Sequence, residues 1–144
     1  MKENMIKHHA GKAAVLFLCG GSAYAMIEIL WRGHTHWTMF VLGGALFLII
    51  GGINEILTWE TPLLLQGVAG AAVVTIAEFA AGWILNIKMG LGIWDYSDMP
   101  FNIMGQVCLP YTLLWIIVSI LAIIVDDCLR WKLFGEEKPR YKFI

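Results

Sequence analysis

The stretch CLPYTLLWIIVSILAIIV, Cys108 to Val125, contains no charged residue. About 20 consecutive apolar residues, wound as a helix, cross the hydrocarbon core of a bilayer. Working upstream from it, three further stretches read the same way. They are PLLLQGVAGAAVVTIAEFAAGWILN (Pro62–Asn86), WTMFVLGGALFLIIGGINEIL (Trp37–Leu57) and AAVLFLCGGSAYAMIEILW (Ala13–Trp31). The chain of 144 residues is 59% hydrophobic and 15% charged. A typical soluble domain is about 45–50% apolar and about 25% charged. The expected fold is therefore an all-α integral membrane protein: four transmembrane helices in one membrane domain over residues 1–144, with residues 126–144 as a tail.

Lysine and arginine set the expected orientation. Lys2, Lys7 and Lys12 precede the first span, and Arg130, Lys132, Lys138, Arg140 and Lys142 follow the fourth. The loop between the second and third spans has none, and the other two loops hold only Arg32 and Lys88. Both termini are expected in the cytoplasm, which an even number of spans permits, and the location is the cell membrane. The loop between spans three and four, together with the turn WRGHTHW, then lies on the outer side. The tail, mixed in charge and aromatic, is expected along the inner interface. A net charge of -1 gives no basic excess for nucleic acid. Cys19, Cys108 and Cys128 are scattered and odd in number, which argues against a disulfide framework. His34 and His36 alone are a weak metal signal, and no metal or cofactor is expected.

Charges within the spans point to a site, because a carboxylate in hydrocarbon is costly and normally faces protein or a water-filled cavity. Glu28 shares a helical stripe with Gly20, Tyr24 and Arg32, in the favourable order for a Glu–Arg pair one turn apart. Glu78 shares a stripe with Gly67, Ala71, Thr75, Gly82 and Asn86, and the small residues let another helix approach closely. Thr112, Trp115, Ser119, Ala122 and Asp126 share a face of the fourth span. YAMIEILW and VTIAEFAAGW both set a Glu late in an outward-running helix before a Trp, as a duplicated two-helix unit would.

The loop GIWDYSDMPFNIMGQ carries the densest polar and aromatic group in the chain. Gly90 and Gly92 permit a turn and Pro100 blocks a helix. The expectation is a polar outer cap. Asp95, Ser97, Asn102 and Gln106 would satisfy its backbone, and Trp94 and Tyr96 are placed either in the site or as interface anchors. Glu78 is expected to touch this loop through backbone N–H groups or Asn102, or to meet Arg32. The candidate ligand or ion site is thus Glu28, Arg32, Glu78, Trp94, Asp95, Tyr96, Ser97, Asn102 and Gln106.

The run WDYSDMPFNIMGQVCLPYTLLW, with the upstream EFAAGWILN, resembles the bacterial ABC-transporter type IV, or CmpB-like permease, family. That family shows a Glu-bearing helix, a W-D-Y-S segment, an N-x-x-G pair and a Trp-bearing helix. Here these fall on Glu78, Trp94 to Ser97, Asn102, Gly105 and Trp115, over the C-terminal half. The resemblance implies a permease-like membrane protein for a small solute or ion, and an ATPase subunit as a possible partner. Four helices seldom enclose a wide pathway, so a homo-oligomer or a larger membrane complex is expected. With no nucleophile–base pair or phosphate-binding loop in view, an enzyme is not the leading expectation. Two alternatives remain: a non-transporting accessory or scaffold protein, and a lipid-acting enzyme using Glu78 and Asp95 as acid and base.

Overall fold

The structure, a computed structural model, describes residues 1–144. It is all helical, with no strand. In chain order the helices are α1 (Lys2–Arg32), α2 (Trp37–Gly51), the short α3 (Ile53–Ile56), α4 (Leu63–Gly82) and α5 (Leu109–Phe134). A π-helical segment, Trp83–Lys88, continues α4. Four helical stretches are long and apolar enough to cross a membrane: Lys2–Arg32, Trp37–Ile56, Leu63–Lys88 and Leu109–Phe134. The apolar run Ala13–Trp31 lies within a helix that begins much earlier, at Lys2. At the other end α5 runs on to Phe134, so residues 126–134 of the expected tail are helical.

The chain forms two compact units. One is Met1–Gly52 with Ile124–Arg140, and the other is Ile53–Ile123 with Tyr141–Ile144. Within the first, α1 and α2 approach through reciprocal glycine and aromatic contacts. Gly20 and Gly21 of α1 receive Phe47 and Phe40 of α2, while Gly44 and Gly43 of α2 receive Phe17 and Tyr24 of α1. A methyl group at Gly44 would lie 2.8 Å from the Phe17 ring, too close for any carbon. Glycine here lets two backbones pack in lipid, where close van der Waals contact replaces the hydrophobic drive.

The same unit holds an ionic cluster. Arg130 Nε donates to Asp126 Oδ2 at 2.7 Å, and Arg130 Nη1 lies 4.0 Å from Glu136 Oε2. Glu136 also pairs with Lys12 of α1. The Asp126 carboxylate rests directly on Gly51 of α2. Asp126 is wholly buried, and its charge is matched inside the protein.

In the second unit, α4 begins at a helix end that cannot cap itself. Pro62 supplies no side-chain cap, and the first N–H groups of any helix lack intrahelical partners. The C-terminal residues provide acceptors instead. Leu63 N–H donates to Lys142 O at 2.7 Å, and Leu64 N–H to Phe143 O at 3.4 Å. Tyr141 meets Trp59 edge to face, with ring centroids 6.0 Å apart. Farther along α4, Gly67 receives Ile120 of α5, and Thr75 and Thr112 share a hydrogen bond of 3.0 Å. These contacts fix the register in which Glu78 meets its partners.

Candidate functional site around Glu78

Glu78 sits on α4 and is only 3% exposed. Trp115 of α5 donates its indole N–H to Glu78 Oε2 at 3.0 Å, and the Tyr96 hydroxyl donates to Oε1 at 3.3 Å. The Tyr96 ring stacks on Tyr111, centroids 4.8 Å apart and planes 27° from parallel. The expected contact between Glu78 and the loop is therefore made, but by a side chain. Asn102 takes no part in it, because its amide serves the loop.

The loop is held from both ends. The π-helical turn after Gly82 carries Asn86, whose Oδ1 accepts from Ile93 N–H at 2.7 Å and whose Nδ2 donates to Gln106 Oε1 at 2.9 Å. A π-helical turn widens the helix locally, and such turns recur at functional sites. Trp94 is buried, with its indole N–H donated to Gln106 O at 2.9 Å. Its ring and the Gln106 side chain lie against Gly82, where a β-carbon would collide with both. Trp94 is thus a packed core residue of the loop, which corrects its alternative reading as an anchor at the membrane surface. The sequence singles out Trp94 as a loop aromatic but cannot show that its N–H has a partner twelve residues on.

Asp95, Ser97 and Asn102 shape the loop, as expected of them. Asp95 Oδ1 accepts from Ser97 N–H at 2.9 Å and from the Ser97 hydroxyl. These two bonds, the hydroxyl's first, hold the exposed Asp95 carboxyl below its ordinary value of 3.8. Asn102 Nδ2 donates to Ser97 O at 3.0 Å and to Met99 O at 2.9 Å, and its Oδ1 accepts from Gly105 N–H at 3.1 Å. Gly105, at φ 70°, closes this turn. A side chain there would strike the Ser97 hydroxyl and the Asp95 carboxylate. Tyr96 N–H donates to Gly105 O at 2.7 Å, so the residue that reaches Glu78 is fixed by the turn.

Glu28 and Arg32 lie in the other unit, on α1. Arg32 Nη2 bonds Glu28 Oε2 at 2.5 Å, the one-turn pair that the sequence order favours. Tyr111, which stacks on Tyr96, and Asn86, which bonds Ile93 and Gln106, are neighbours that the sequence reading did not assign. Asn86 stood on the Glu78 stripe but carried no role, and Tyr111 had no charge or spacing to mark it.

The constellation that reaches Glu78 is the ordered set of an E-F helix, a W-D-Y-S segment, an N-x-x-G pair and a Trp-bearing helix. The family described as "Putative ABC-transporter type IV" has a model that matches residues 15–140. The chain belongs to this ABC-transporter type IV family. The match extends from within α1 to beyond α5, so family membership covers both halves of the chain and not the C-terminal half alone. With four helices long and apolar enough to cross a membrane, this type IV chain fits a membrane component of the transporter class. No solved structure matches it.

Proposed function

We propose that this type IV chain is a permease-type subunit in the cell membrane that handles a small solute or ion, with both termini in the cytoplasm. The observation that carries the reading is Glu78. A carboxylate buried in an otherwise apolar helix is costly, and such groups mark substrate, ion or proton pathways. Its donors, Tyr96 and Trp115, come from a loop and a separate helix, so occupancy at Glu78 is felt by both. Trp94, Asp95, Ser97, Asn102 and Gln106 hold the loop in the shape that presents Tyr96. Glu28 and Arg32 supply a further ionic pair in their own unit. The surplus of Lys and Arg beside the chain ends supports the orientation. The family name supports an ATPase on a separate chain as partner, and the small bundle supports assembly with further copies or subunits.

The test is Glu78→Gln, which keeps the shape and most hydrogen bonding but removes the charge. Thermal stability in detergent is measured beside an uptake or growth assay in cells lacking their own copy. A permease site gives a folded, stable and inactive variant. A stable variant with full activity removes Glu78 from the site. A variant that unfolds or fails to assemble supports the accessory or scaffold reading.

A further inference from the structure

The loop between α4 and α5 has a second edge that the Glu78 site does not use. Phe101, Ile103 and Met104 are 81%, 57% and 59% exposed. Two of these three hold a backbone shape that bulky side chains rarely adopt, with φ of 53° at Phe101 and 54° at Met104. For large non-glycine residues such angles are outliers that persist only where the surroundings enforce them. The enforcement comes from Asn102, between them, through its three bonds to Ser97 O, Met99 O and Gly105 N–H. The loop is thus built to turn three apolar side chains outward.

Part of the backbone of the same loop is bonded from within. Ile103 N–H donates to Val107 O at 2.9 Å, and Gln106 N–H donates to Ile103 O at 3.0 Å. Met99 N–H donates to Tyr96 O at 2.9 Å, and Gln106 Nε2 donates to Met104 O at 2.9 Å. These bonds suit a turn at the headgroup boundary, where water and headgroups can meet the remaining backbone groups. The exposed polar residues Asp95, Ser97 and Asp98 lie elsewhere on the loop, giving it one polar and one apolar edge. On either side of the loop, Met89, Leu91 and Leu109 are also exposed, so the apolar edge continues the outer surface of the two membrane-crossing helices it joins.

We propose that Phe101, Ile103 and Met104 insert into the acyl–headgroup boundary of the bilayer that α4 and α5 span, so that lipid anchors this edge of the loop. The anchor grips the turn whose Gly105 carbonyl holds Tyr96, and so steadies the donor that reaches Glu78. The proposal requires only that α4 and α5 cross the membrane. It stands whether or not Glu78 binds a solute.

Two measurements on the full chain in lipid nanodiscs test it. Hydroxyl-radical oxidation of the unaltered protein compares methionines. Met104 is expected to be protected as Met26 on α1 is, while Met1 is oxidised freely; oxidation of Met104 at the rate of Met1 would overturn the insertion. Protection by lipid is then separated from protection by protein. Spin labels are placed at Phe101→Cys, Ile103→Cys, Met104→Cys and, as the water reference, Asp98→Cys, each with Cys19, Cys108 and Cys128 replaced by alanine. Insertion gives a several-fold higher ratio of oxygen to nickel-chelate relaxation at 101, 103 and 104 than at 98. A ratio equal to that at 98 places the edge in water. Shielding from both reagents places it under a partner protein or a second copy. Either of these last two results overturns the proposal.

Discussion

Asp126 and Glu78 are both carboxylates set in apolar helices, and they reach their partners by different routes. Asp126 takes the guanidinium of Arg130, one turn along its own helix, and rests on Gly51. Glu78 takes donors 18 and 37 residues away, from a loop and from another helix. Asp126, paired on its own helix, is the staple of an ionic cluster that also includes Glu136 and Lys12. A carboxylate whose donors come from distant segments determines how those segments are arranged, so a change in its charge or occupancy propagates into them. This difference is the reason the proposed function is placed at Glu78 and not at Asp126.

The largest expected effect falls on the staple. Asp126→Ala takes from the largely buried Arg130 the carboxylate that bonds its Nε, a loss of about 3 kcal/mol by the usual cost of breaking a buried pair. Thermal melts in detergent read it, and hydrogen exchange should rise around Lys12, Gly51 and Glu136 while the Ile93–Val107 loop stays protected. A rise in the loop as well would break the comparison. Next comes Gly82→Ala. The added methyl collides with Gln106 and the Trp94 ring, at a cost of about 2 kcal/mol, typical of overpacking. Here the exchange should rise across Ile93–Val107, the reverse of the first pattern.

Asn102→Ala removes three hydrogen bonds from a half-exposed position, worth about 1–2 kcal/mol together. Asn102→Asp, which keeps an acceptor for Gly105 N–H, should protect that amide better than alanine does. The smallest effect concerns pH. The folded pKa of Asp95 lies below its ordinary value, so its ionised form adds stability above that ordinary value. That contribution is lost as pH falls through the folded pKa. Ser97→Ala should raise the Asp95 pKa toward 3.8, read by carboxyl NMR titration. An unmoved pKa would mean that Ser97 does not set it.

The helices were legible because length and hydropathy alone define a span, and the Glu28–Arg32 pair was legible because its spacing is local. The polar residues of the cap were named correctly for the same reason: Asx-type turns are short-range chemistry. What escaped was non-local. Nothing in the periodicity of the tail says that Lys142 and Phe143 cap α4, or that Glu136 returns to Lys12. Tyr111 carries no mark of its stacking partner fifteen residues upstream. Trp94 belongs to the same class, since an aromatic near a span end fits a membrane surface until its N–H is seen to be taken.

The central claim is that Glu78 joins the loop and α5 through its own hydrogen bonds, and a double-mutant cycle between Glu78→Ala and Trp115→Phe tests it most directly. Unfolding free energies of the two single variants and the pair are measured in one detergent. The account expects the two changes to be coupled by about 1 kcal/mol, as for residues sharing a buried hydrogen bond. Losses that add without coupling would contradict it and leave Glu78 and Trp115 as independent packing residues.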